Sequence, residues 1–119
     1  MCVRTAICTL LVGALLLVVP ASDVMASPQN TGIQGPTVVR AGSIAGFYLL
    51  IQDVPGLAVT WSSPTGTVLP APYTTFRDFG KEQFHRGALR WTTPGVKTVT
   101  ATVSWNSGTY NVTYTITVI

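Results

Sequence analysis

Between Lys97 and Val118 the chain reads KTVTATVSWNSGTYNVTYTITV, two runs of apolar and polar alternation about one short polar break. Side chains of a strand point alternately to its two faces. Val99, Ala101, Val103 and Trp105 therefore share one side of the first run, and Thr98, Thr100, Thr102 and Ser104 the other. In the second run Tyr110, Val112, Tyr114, Ile116 and Val118 oppose Thr109, Asn111, Thr113, Thr115 and Thr117. The two apolar sets fall on one side only if odd-numbered residues pair with even-numbered ones, which demands a connecting loop of even length. Ser107-Gly108, or Asn106 to Thr109, meets that demand. The stretch predicts a hairpin with one core face and one face of hydroxyls. A solvated outer face is the favoured reading of the threonines, and a binding role for them the alternative.

Upstream, apolar runs alternate with turn signals and no helical period is sustained, so the chain reads as all-β. Ala41-Gly42 ends a short strand from Thr37 to Arg40. A second strand, Ser43 to Gln52, carries Ala45, Phe47, Leu49 and Ile51 on one face, while Ile44, Tyr48 and Leu50 make its opposite face apolar too. That predicts either burial on both sides or an exposed apolar patch. Val54-Pro55-Gly56 turns the chain into a third strand, Leu57 to Ser62, with Val59 and Trp61 inward. Ser63 to Phe84 gives no regular reading, and a strand near Ala88 to Thr92 leads into Pro94-Gly95.

Ahead of this lie Arg4, an apolar run from Ala6 to Val19, and small residues, the arrangement of a secretory signal. Residues 1–26 are expected to be removed, with cleavage after Ala21 or, in preference, after Ala26, because Ser27 opens a polar stretch. An uncleaved anchor is the rival reading, disfavoured because the apolar run is shorter than the roughly 20 residues that cross a bilayer, and no stable membrane insertion is expected once the leader is removed. SPQNTGIQG, residues 27–35, reads as a flexible lead-in, and residues 36–119 as the domain. Cys2 and Cys8 both lie in the leader. The domain must then be held by its core without disulfides.

Seven Lys and Arg stand against four Asp and Glu. The cations are spread among acids rather than gathered into a stripe, so nucleic-acid binding is not expected. So few carboxylates also argue against a calcium cage. His85 is the only histidine, and without cysteines it leaves a metal site short of ligands. No Gly-x-Ser-x-Gly motif accompanies it. Neither catalysis nor a cofactor is expected.

WTTPGVKTVTATVSWNSGTYNVTYTITV, from Trp91 to Val118, resembles the second half of a PKD domain, an immunoglobulin-like β-sandwich of secreted and cell-surface proteins. Trp91 stands where that family has an aromatic before its Pro-Gly corner, Pro94-Gly95 is the corner, and Val99 and Val103 take buried positions. GPTVVRAGS at Gly35 to Ser43 and VPGLAVTW at Val54 to Trp61 resemble the first half. The family's acidic Trp-Asp-Phe-Gly-Asp-Gly loop is replaced here by WSSPTG, Trp61 to Gly66. The resemblance implies a PKD-like, immunoglobulin-like antiparallel sandwich of about seven strands. It further implies a non-catalytic module for protein or carbohydrate binding, or for spacing, that is secreted, cell-surface or periplasmic.

Two stretches are candidates for partner contact. RDFGKEQFHRGALR, Arg77 to Arg90, is either a recognition loop or, the favoured reading, a solvated connection and edge strand. As a loop it would serve a small secreted inhibitor or enzyme accessory protein. Tyr73, Phe76, Phe79 and Phe84 are first expected to plug the core, but any that are exposed could stack on sugar rings or a protein partner. Trp61, Trp91 and Trp105 are assigned to the core, with Trp105 nearest the rim. The partner-binding candidates are thus Phe76, Phe79, Arg86, Arg90 and Trp105. Asn111-Val112-Thr113 forms a glycosylation triplet on the outward face.

Overall fold

The computed structural model describes residues 27–119 and contains eight strands: β1 Val38–Val39, β2 Ile44–Gln52, β3 Ala58–Ser62, β4 Thr67–Val68, β5 Thr75–Asp78, β6 Glu82–Arg90, β7 Gly95–Trp105 and β8 Gly108–Val118. The expected leader, with both candidate cleavage points, lies outside the described residues. β7 and β8 come from the alternating stretch, and their ladder pairs odd with even positions, Val99 with Tyr114 and Val103 with Tyr110. Trp105 pairs with Gly108, so the loop is Asn106-Ser107. It has the even length that parity requires but starts one residue before Ser107-Gly108. Gly108 stays in the ladder because its missing side chain leaves room for the Trp105 ring, which a Cβ there would meet at 3.0 Å.

Two sheets face each other. In one the order is β1-β8-β7-β3, with β1 parallel to β8; in the other β2 pairs with β6, and β4 and β5 follow one another along the far edge of β6. The inner faces alternate as read from the sequence: Phe47, Leu49 and Ile51 of β2, Val99 and Val103 of β7, and Ile116 and Val118 of β8 are almost wholly buried. Each such side chain contributes roughly 1.5–3 kcal/mol. Trp91 sits at their centre, edge-on to Phe47 with ring centroids 6.1 Å apart, and its indole N–H donates to Ser63 Oγ at 3.1 Å. Trp61 is buried against Gly87, whose Cβ would meet the indole Cδ2 at 2.2 Å. The fold is an all-β, two-sheet sandwich.

Three sequence expectations change. Residues 27–35, read as a flexible lead-in, run antiparallel beside β2 and belong to the sandwich. Thr31 and Gln34 amides donate to the Leu50 and Tyr48 carbonyls at 3.0 and 2.9 Å, and Ile33 is buried. Tyr110 and Tyr114 hydroxyls reach across to the Pro28 and Gly35 carbonyls at 2.6 and 2.7 Å. The segment thereby covers what would be an open edge of β2.

Residues 77–81 are the solvated connection and edge strand of the favoured reading, but residues 82–90 are an interior strand. Together the two stretches form the end of β5, the turn Phe79 to Lys81 and all of β6, which lies between β2 on one side and β4 and β5 on the other. The strand expected over Ala88 to Thr92 is therefore longer and starts earlier, at Glu82. Its charged positions, Glu82, Arg86 and Arg90, fall on one parity and face outward, so Gln83, His85, Gly87 and Leu89 face the core.

The third change concerns the aromatics expected to plug the core. Phe76 and Phe79 are each 61% exposed and Tyr73 is also exposed, while Phe84 is half-buried on the outer face of its sheet. Phe84 points away from the opposite sheet, and Phe79 lies in the turn beyond the last paired residues of β5.

Candidate functional site

The most exposed aromatic rings lie where β5 and the turn Phe79 to Lys81 meet the N-terminal end of β6. Asp78 shapes that turn: its Oδ1 accepts the Gly80 amide at 2.8 Å, and Gly80 has a φ of +93° that favours glycine. The turn carries Phe79 into solvent. Two residue pairs back in the ladder from Asp78 and Gln83, Phe76 stands opposite His85, and their rings stack with centroids 5.3 Å apart and planes 13° from parallel.

Phe76 separates two clefts. On the outer side a shallow cavity of about 320 Å³ is lined by Thr75, Phe76, Arg77, Phe79 and Phe84. Phe84 continues this surface to the exposed Tyr48, with ring centroids 5.4 Å apart, while Ile44 is exposed at the far end of β2 beside Arg90. The second face of β2 is thus an exposed apolar patch, one of the two outcomes its sequence allowed. On the inner side a cavity of about 300 Å³ opens between the edge strand β3 and the β5–β6 pair. Leu57, Val59 and Trp61 form one wall, and Phe76, Gln83 and His85 the other. Leu57 and Gln83 also line a more open hollow of about 470 Å³ under the turn Asp53 to Gly56.

Gln83 and His85 are the only buried polar side chains among the described residues, 9% and 6% exposed. They are joined in a chain. Gln83 Nε2 donates to Asp53 Oδ1 at 3.3 Å, and Gln83 Oε1 lies 2.9 Å from His85 Nε2. A carboxylate only accepts, so the Gln83 amide nitrogen must face Asp53 and its carbonyl must face the imidazole. The proton of neutral His85 is then on Nε2, leaving Nδ1 as an acceptor. Burial holds the His85 pKa below its ordinary value of 6.5, so the neutral ring is the resting form at neutral pH. Among the described residues no three His, Cys, Asp or Glu side chains stand together as a metal site.

Of the five partner-binding candidates, only Phe76 and Phe79 meet in this corner. Arg86 folds back on its own sheet: its guanidinium lies against Gly46 and Nη1 donates to the Tyr73 carbonyl at 3.2 Å, tying down the link between β4 and β5. Arg90 is exposed at the opposite end of β6, beside Ile44 and Thr67. Trp105 is half-buried and packs edge-on against Tyr110 at 5.4 Å, near the rim of the sandwich as its sequence position suggested. The sequence reading missed Gln83, although the parity of Glu82, Arg86 and Arg90 marks the odd positions of this strand as inward. Compared with known proteins, the chain matches no protein-family model and no curated protein.

Proposed function

We propose that the chain is an exported immunoglobulin-like sandwich of the PKD kind, acting outside the cytoplasm as a non-catalytic module that binds carbohydrate through the corner around Phe76 and Phe79. The strand arrangement supports the immunoglobulin-like assignment. The lead-in, β2, β6 and β4–β5 follow the order A-B-E-D of one immunoglobulin sheet, and β3, β7 and β8 the order C-F-G of the other. Export is supported by the leader-like residues 1–26.

The observation that carries the binding assignment is the exposure of Phe76 and Phe79, 61% each, the two most exposed aromatic rings among the described residues, lining one cleft together. Exposing two phenylalanine rings side by side gives up hydrophobic stabilisation that a partner would restore. A flat ring flanked by Thr75, Arg77 and Asp78 suits the C–H face and hydroxyl rim of a polysaccharide. The test is retention of the protein on insoluble cellulose, chitin and bacterial cell-wall sacculi. The wild-type chain should be retained on at least one, and Phe76→Ala and Phe79→Ala should each elute early while unfolding at the wild-type temperature. Retention on none of the three, or unchanged retention of both variants, refutes the assignment.

A further inference from the structure

Resting on that reading, we infer that the inner cleft between β3 and the β5–β6 pair is the seat for a single neutral sugar ring, held between Phe76 and the Trp61 wall with one hydroxyl donating to His85 Nδ1. The cleft is an unusual place to bury polarity. A sandwich core needs no Gln or His facing inward, and burying such groups costs free energy unless they are paired. Here the pairing is arranged along one line, from Asp53 through Gln83 to His85, which engages His85 Nε2 and leaves Nδ1 as the acceptor of the ring.

The lining selects the ligand class. No lining side chain is formally charged with His85 neutral, so an ionic ligand would find no counter-charge. A wholly apolar ligand would leave the Nδ1 acceptor and the Thr75 hydroxyl unmatched. A pyranose presents both an apolar face and a rim of hydroxyl donors. The cavity, about 300 Å³, is at the lower bound of the range that small-ligand sites occupy, so it admits one ring and not a chain. Phe76, exposed and already stacked on the imidazole, is placed to serve as the platform.

His85 is the only histidine in the chain, so its ring signals identify themselves. The protein labelled with nitrogen-15 is titrated with methyl β-glucoside, methyl β-galactoside, methyl α-mannoside and N-acetylglucosamine up to tens of millimolar at neutral pH. The inference expects the Nε2–H tautomer in the free protein and, with at least one sugar, a saturable upfield movement of the Nδ1 resonance as it accepts a hydrogen bond. Phe76→Ala should weaken that sugar by about three- to tenfold, the worth of one aromatic contact. Phe79→Ala, outside the cleft, should leave its affinity unchanged. If no sugar moves the Nδ1 resonance, or if Phe76→Ala binds as tightly as wild type, the cleft is not the seat. Polysaccharide retention that still depends on Phe79 would then leave the corner as the binding surface and remove only this inference.

Discussion

His85 is the residue whose environment makes the sharpest demand. Its pKa is lowered by burial from 6.5, so the unfolded chain takes up the imidazole proton at a higher pH than the folded one. Stability is therefore at its full value above the unfolded pKa, and falls with pH between that value and the lower folded pKa. Below the folded value no further loss comes from this group. The unfolding temperature should drop as pH is taken from 7 toward 5, and His85→Gln should flatten that part of the profile; a profile equally steep in the variant would remove His85 as its source. A second residue-scale demand comes from Gly87. Its Cβ would meet the buried Trp61 ring at 2.2 Å, and an indole packed in the core has no flexible end to swing aside. Gly87→Ala should destabilise the domain by about 1–3 kcal/mol, as overpacking does. Urea unfolding followed by tryptophan fluorescence measures it, and a loss under 0.5 kcal/mol would mean the ring is free to move.

Among the elements, the lead-in gives the most direct prediction. It is held to β2 by backbone bonds and to β8 by the Tyr110 and Tyr114 hydroxyls, with Asn30 Nδ2 also donating to Tyr110 Oη at 3.0 Å. Tyr110→Phe removes the shared anchor and should cost about 1 kcal/mol. Amide exchange at Thr31 and Gln34 should accelerate while Val99 and Val103 in the sandwich core stay protected; equal acceleration everywhere would make the segment an inseparable part of the global unfolding unit. This attachment was hidden in the sequence because SPQNTGIQG has turn-forming composition, and only Ile33 hints at burial. β2, β3, β7 and β8 were legible because each alternates against a solvated or half-solvated face. β4 and β5 were not, being two and four residues long, with no buried side chain, and recruited by backbone pairing to β6 alone. β6 itself defied the pattern because its inward residues are Gln83, His85 and Gly87. The space a larger apolar side chain would fill over Gly87 belongs to Trp61, from a strand more than twenty positions away. At the site the sequence offered the right residue types in Phe76 and Phe79 but not their company, since the meeting of β3 with β5 and β6 is a long-range event.

At the scale of the whole molecule the two outer surfaces differ in kind. The β3–β7–β8 surface is a field of hydroxyls in which Thr60 aligns with Thr102 and Asn111, Ser62 with Thr100 and Thr113, and Thr98 with Thr115. None of these ranks contains a charge, and within them Thr102 Oγ1 donates to Asn111 Oδ1 at 2.9 Å. The opposite sheet instead carries the exposed aromatic surface from Tyr48 through Phe84 to the Phe76–Phe79 corner. Hydroxyls already satisfied by water and by one another have little free energy to gain from a partner, whereas exposed rings have a good deal. Thr102→Lys and Thr113→Glu, placed on the hydroxyl surface, should therefore change stability by no more than about 0.5 kcal/mol, as surface substitutions do. They should also leave polysaccharide retention unchanged, under conditions where Phe79→Ala abolishes it without unfolding the domain. The reverse result, retention lost in a stably folded Thr102→Lys variant and kept in Phe79→Ala, would transfer binding to the threonine ranks and leave the aromatic corner without a ligand.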